Sequence, residues 1–282
     1  MMNSRIRTRN QYVILPPVKG PVSEAFRNVH YDGKRHGNLL AEMQRLRGGI
    51  YAADGAIRPE DLTADGRHKS PVDELSWHVL ALNDQGKVCA CLRYLEEKHV
   101  KSFNDLRVRH AALARSPVLG QRFRTAVERE LERSRQMKIG FGEVGGWAVS
   151  EECRWSLEPL RIVLATFGVL ELLGRCAGVA TATMRHNSAT ILRKIGLSSL
   201  QVDGVDLPPY YDPQYCCDME VLRFDSRHPN PKYRDWVDEF AYSLSSAPVI
   251  SAGRPRANMQ DVLRGFDVPV GSVPQAAMVP VH

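Results

Sequence analysis

The sequence predicts a mixed α+β domain over roughly residues 20–245. Two observations carry this expectation. A hairpin pattern at residues 77–95 is followed by further strand-like runs that alternate with segments of helical period. The composition is that of a globular chain: 282 residues, 43% hydrophobic and 25% charged. Those values exclude collagen, a disulfide mini-scaffold and a mostly disordered polypeptide.

Residues 1–20 read as an irregular arm, punctuated by Pro16 and Pro17, with Pro21 just beyond. Leu39–Ala53 is expected to be helical, because Leu39, Leu40, Met43, Leu46 and Ile50 recur at helical spacing. Residues 54–73 read as a polar loop, broken by Gly55, Pro59, Gly66 and Pro71. The hairpin follows: strand Trp77–Leu82, turn Asn83–Gly86 and returning strand Lys87–Leu95. Past Pro117, a charged helix is expected over Val118–Met137.

Phe141–Ser150 reads as a strand whose internal Gly145-Gly146 pair predicts a bulge. Pro159 fits the first turn of a long apolar helix, Glu158–Cys176, with Gly178 as its stop. Val179–Met184 is rich in β-branched residues and is expected to be a strand. Asn187 or Ser188 suits the cap of a short helix, Ala189–Lys194, that stops at Gly196. A strand at Tyr215–Phe224 and a helix at Asp235–Leu244 complete the domain. From about Ser245 the periodicity fades. The tail, residues 246–282, is expected to be flexible or loosely docked, with one short helix at Asn258–Phe266.

The most apolar stretch, Ile162–Leu173, is interrupted by Glu171 and falls short of the roughly 20 residues of a membrane span. The N-terminal arginines have no apolar run behind them, so a cytoplasmic chain without a secretory signal is expected. Of the six cysteines, Cys89 and Cys91 are expected on one strand face, and Cys216 and Cys217 are adjacent. Neither pair has the gap of a zinc knuckle, so reduced buried thiols are expected rather than a metal site. The charge of +6 permits an acidic partner. The arginines of residues 107–135 are diluted by glutamates and have a single aromatic, Phe123, among them, which argues against nucleic acid.

The order Glu143-Val144-Gly145-Gly146-Trp147-Ala148-Val149-Ser150, then Arg154, the apolar helix, Ala180–Thr183, Asn187 and Lys194–Leu197 resembles the core of the GNAT superfamily of N-acyltransferases. Within it, the chain is similar to the acyl-homoserine-lactone (autoinducer) synthases and the related N-acyl amino acid synthases. Arg45 and Arg47, Asp73 and Glu74, Arg93 and Glu143 stand where that group has matching residues, and Pro208–Tyr215 with Cys217–Phe224 is similar to the late segment of the N-acyl amino acid synthases. The resemblance implies a GNAT-like mixed central sheet flanked by helices, with the bulged strand at about 141–150.

It also implies an enzyme that moves an acyl group to an amine. The donor would be a phosphopantetheine thioester on acyl carrier protein, or acyl-CoA, with no covalently bound cofactor and no metal. The acceptor would be the α-amine of an amino acid or a similar small amine. Glu143 would act as base, and backbone N–H groups around Gly146–Ala148 would hold the oxyanion. Arg93, Asp73, Glu74 and Trp147 would bind the acceptor. Arg154, Arg161, Val149 and Asn187 would bind the donor.

The chain departs from the family at three places. The segment Cys153–Pro159 has no glycine-rich pyrophosphate loop, so a one-phosphate carrier arm makes the weaker demand. Arg193 stands where acetyltransferases carry a Tyr acid. Gly146 stands where autoinducer synthases carry an Arg. The alternatives are therefore an autoinducer synthase using S-adenosylmethionine and a catalytically inactive GNAT-like domain that binds an acyl ligand or partner.

Overall fold

The computed structural model describes residues 10–97 and 100–254. In chain order it contains β1 (Gln11–Leu15), β2 (Val29–Tyr31), α1 (Gly33–Ala53), β3 (Trp77–Leu82), β4 (Val88–Glu96), α2 (Gly120–Gln136), β5 (Gly140–Val149), α3 (Glu151–Arg154) and α4 (Glu158–Leu172). There follow β6 (Cys176–Thr183), α5 (Ser188–Ile195), β7 (Ser198–Ser199), β8 (Gln201–Val202), β9 (Val205–Asp206), β10 (Tyr210–Asp212), β11 (Cys217–Asp225), α6 (Arg234–Leu244) and β12 (Val249–Ser251).

One mixed sheet runs β10-β11-β6-β5-β4-β3-β1-β12-β2, with β7 against β11, while β8 and β9 form a separate ribbon. The β3–β4 hairpin extends the sheet antiparallel on both sides, and β5 pairs with β6 in parallel. A parallel pair needs a crossover, which α3 and α4 supply.

Alternation along the strands builds two apolar layers. Val79, Leu92, Tyr94, Val144, Val149, Ala180 and Leu222 pack beneath α4 and α6 on one face. On the other face Leu80, Leu82, Cys91 and Ala148 pack with Leu39, Leu40 and Met43 of α1. Phe141, Val179 and Val221 pack there with Phe123, Val127 and Leu131 of α2. α1 and α2 thus cover neighbouring parts of the same face.

Several expectations are corrected. Residues 11–15 are a strand at the centre of this side of the sheet, paired with β3 along its length, not part of an irregular arm. Residues 249–251 are buried and run parallel to β1 and β2 instead of trailing loosely. Both strands are short apolar runs without enough period to register against the prolines and serines around them. The expected helix at Asn258–Phe266 lies outside the described residues.

The apolar helix ends at Leu172 and β6 begins at Cys176. Gly174 and Arg175 turn the chain in the left-handed region. Gly178 is therefore not a helix stop. It lies inside β6 opposite Gly142, where a Cβ would come within 2.0 Å of the Gly142 carbonyl oxygen. Cys89 and Cys91 do not share a face. A register shift beside Ala81/Leu82 puts Cys89 with the α4 layer and Cys91 with the α1 layer. No helix among the described residues is long and apolar enough to cross a membrane.

Candidate active site

β5 and β6 are paired from Gly140↔Cys176 to Val144↔Ala180. Beyond that point they separate, although β5 continues to Val149 and β6 to Thr183. The notch between them is the mouth of a cleft of about 620 Å³, a volume suited to a small-molecule ligand.

The bulge expected at Gly145-Gly146 sits at this divergence. Between the pairs Arg93↔Gly145 and Cys91↔Ala148, Leu92 alone faces two residues, Gly146 and Trp147. The extra residue returns Val149 to the layer that Val144 occupies. Gly146 has φ of 66°, and a Cβ there would lie 3.3 Å from Arg47 Nη1 and 3.4 Å from Arg93 Cβ. Glycine at this position makes room for two guanidinium side chains.

Those side chains belong to α1 and β4. Arg47 and Asp73 form a bidentate ion pair at 2.6 and 2.9 Å, each side chain 1% exposed. Gln44 Nε2 and the Ser70 backbone N–H also donate to Asp73, both at 2.9 Å. Burial works to raise the Asp73 carboxyl, and the Arg47 hydrogen bonds and charge outweigh it, bringing it down to about 2.

Arg93 is answered more weakly. It donates to Ser70 Oγ at 3.2 Å and reaches Asp73 only at 3.7 Å. Burial, then the neighbouring Arg47 charge, lower its pKa. The Nε atoms of both arginines are buried without a hydrogen-bond partner, as are Trp147 Nε1 and His68 Nδ1 in the same cleft wall. A buried donor left unpaired costs free energy, so this wall is built to receive an acceptor-rich group.

His78 closes the network from behind, its Nε2 donating to the Asp73 carbonyl at 2.8 Å. Burial pushes the imidazole down to about 4. Between pH 6.5 and 4 the unfolded chain therefore binds a proton that the folded chain refuses. Stability should fall by about 3 kcal/mol as pH drops through that window and level off below it. Urea unfolding at pH 7 and pH 4.5 checks this: His78→Gln should lose markedly less stability than wild type. An equal loss would remove His78 as the cause.

Glu143 lines the cleft on the same face as Arg93. Among the described residues it pairs with no arginine side chain. Its oxygens accept the backbone N–H groups of Arg107 at 2.6 Å and Val108 at 2.8 Å, from a 3₁₀ turn at Arg107–His110. Leu95 is opposite Glu143, so Glu97 is its diagonal neighbour on that face. Burial, then the Glu143 carboxylate, push Glu97 up to about 7.

The other expected residues are dispersed. Gly146, Trp147, Ala148, Val149, Arg154 and Asn187 line the cleft with Arg93 and Glu143. Asp73 stands behind the wall as the partner of Arg47. Glu74 is exposed and outside the cleft, because adjacent residues of a 3₁₀ turn point apart. Arg154 is ion-paired with Asp54 at 3.3 Å, where α3 meets the end of α1. Arg161 is absent from the lining and lies near Tyr12 and Glu158. Glu158, buried in the first turn of α4, accepts from Tyr12 Oη at 2.6 Å and Asn10 Nδ2 at 3.0 Å. Glu158 does not line the cleft. Asn187 precedes α5 with φ of 61° and caps it with no side-chain hydrogen bond. Arg193 turns away to Glu220 and Ser199 and does not line the cleft.

The sequence reading missed Arg47, Tyr51, Tyr210 and Tyr215 as cleft residues. The aromatic doublet Tyr210-Tyr211 in the run Pro208–Tyr215 is the signal the sequence holds for Tyr210 and Tyr215.

This mixed sheet, splayed between two parallel strands beside a bulge, is similar in fold to a CoA-dependent acyl-homoserine lactone synthase, BjaI, solved with S-adenosylmethionine and isopentyl-CoA. The two structures superpose with a TM-score of 0.51 at 16% identity, over 90% of this chain and 98% of that one. FeeM, an N-acyl amino acid synthase from uncultured soil microbes, aligns at a TM-score of 0.45 and 10% identity, over 78% of this chain and 92% of its own. No protein-family model matches the sequence. No curated protein matches it either.

Proposed function

We propose that the protein is an N-acyltransferase that moves an acyl chain from a pantetheine thioester, on acyl carrier protein or CoA, to the amine of a small carboxylate-bearing acceptor. The observation that carries this reading is that two arginines in the wall of the notch, Arg47 buried and Arg93 partly buried, share one carboxylate, Asp73, behind it. The spare charge and the unpaired Nε of Arg93 suit the α-carboxylate of an amino acid.

Glu143 takes a proton from the ammonium, and the neutral amine attacks the thioester carbonyl. Backbone N–H groups of the bulge at Gly146–Ala148 hold the oxyanion, which collapses with cleavage of the C–S bond to amide and thiolate, and the proton lost by the attacking nitrogen ends on the sulfur through solvent. Trp147 and Val149 border the acyl chain, and Arg154 meets the donor's phosphate at the mouth. The segment Cys153–Pro159 has no glycine-rich loop to hold a pyrophosphate, which favours a carrier-protein arm. No acid is assigned to the leaving thiol, because Arg193 faces Glu220.

The test is thiol release and mass spectrometry of products with a panel of acyl thioesters and amino acids. Glu143→Gln should lower kcat by about a hundredfold. Full activity in that variant would remove Glu143 as the base, and the absence of turnover with every pair would overturn the reading. S-adenosylmethionine carries the same carboxylate, and BjaI was solved with it. Release of methylthioadenosine in the same assay would move the assignment to a lactone-forming synthase. Acyl-ligand binding without turnover would move it to a binding protein.

A further inference from the structure

Tyr210 is 9% exposed and lines the cleft, and its hydroxyl has no hydrogen-bond partner. Asp212, the nearest acid on the same strand, is committed elsewhere. Its oxygens accept from the backbone N–H groups of Gln214 at 2.9 Å and Ala112 at 3.3 Å.

Position narrows what the hydroxyl is for. Tyr210 packs with Met219, Cys217 and Val221 in the α2 layer. It therefore belongs to the sheet face that carries Arg93 and Glu143, opposite the face covered by α4. A donor arm entering at the start of α4 approaches from the other side. The neighbouring apolar groups leave the phenol nothing to bond within the protein. Burial also raises its pKa, so it keeps its proton and both donates and accepts at working pH.

We infer that the Tyr210 hydroxyl is a specificity determinant for the acceptor's side chain, selecting amino acids that carry a hydroxyl or amide over their apolar isosteres. The inference rests on the acyltransfer reading and narrows its substrate class. The physical cause is the asymmetry of buried hydrogen bonds. An acceptor that pairs with the hydroxyl relieves an unsatisfied group, and an apolar isostere leaves it stranded.

Matched acceptor pairs test this: serine against alanine, threonine against valine, tyrosine against phenylalanine. Each is measured by kcat/KM and, without any acyl donor, by calorimetric binding to the full-length protein. Wild type should favour the polar member of at least one pair by about tenfold or more. Tyr210→Phe should erase that preference, bringing the polar member's kcat/KM down to that of its apolar isostere. The ligand-free variant should melt at or above the wild-type temperature, since it loses only an unpaired oxygen.

A preference that survives in Tyr210→Phe, or a wild type with no preference in any pair, overturns the assignment. A loss of kcat that is equal for every acceptor, with binding intact, also overturns it, by giving Tyr210 a role in the chemistry. If no amine is acylated, the acyltransfer reading fails on its own, and the binding arm still decides the side-chain preference.

Discussion

Replacing Asp73 by Asn is expected to cost the fold about 3–5 kcal/mol, because it strips the counter-charge from a buried guanidinium. Arg47 and Asp73 are each 1% exposed. Removing the carboxylate leaves Arg47 beside Arg93 with no acid between them. The loss should appear as a lower urea midpoint with an unchanged slope. Arg47→Met in the Asp73→Asn background should restore part of it, since the surviving charge is then removed as well. A single variant that loses less than about 1 kcal/mol, the range of a surface pair, would show that the pair is not the lock described above.

Arg93→Met should separate binding from folding at the same wall. Methionine keeps the length and removes the charge. Arg93 is the guanidinium that Asp73 reaches only at 3.7 Å, so its loss also relieves repulsion on Arg47. The variant is expected to fold at or near wild-type stability. Its KM for a carboxylate-bearing acceptor should rise by about a hundredfold, as expected for a lost charge-assisted pair, with kcat changing far less. An acceptor without a carboxylate should show no such change. Equal effects on both acceptors would mean that Arg93 does not read the carboxylate.

Local signals recovered much of the scaffold. Leu39 to Ile50 and the hairpin around Asn83–Gly86 declare their elements within a few residues, and the structure has both. Gly145-Gly146 marked the bulge for the same reason: a glycine pair in a strand is a local anomaly. What stayed hidden depends on distance along the chain. Nothing near Asp73 in the sequence says that it will be spent on Arg47 while Glu74 faces out. Glu143 was visible as a candidate, but its partners are backbone groups 35 and 36 residues away. Gly178 looked like a helix stop because only the paired strand reveals the Gly142 carbonyl pressed against it. Tyr210 was flagged within a motif, and its unpaired hydroxyl appears only once Met219 and Cys217 surround it.

The placement of β1 between β3 and β12 also sets an order of assembly. β1 is made before both of its neighbours, and its first partner, the β3–β4 hairpin, follows within a hundred residues. Its other neighbour comes after every other described strand of the sheet, when Val249 comes level with Ile14. Until then the nascent chain carries an open flank on a buried apolar strand, exposed through the synthesis of the whole cleft. The far side of the sheet from the notch is thus a late checkpoint on folding: a chain released before Ser251 would have the cleft but not the strand that seals the sheet beside β1.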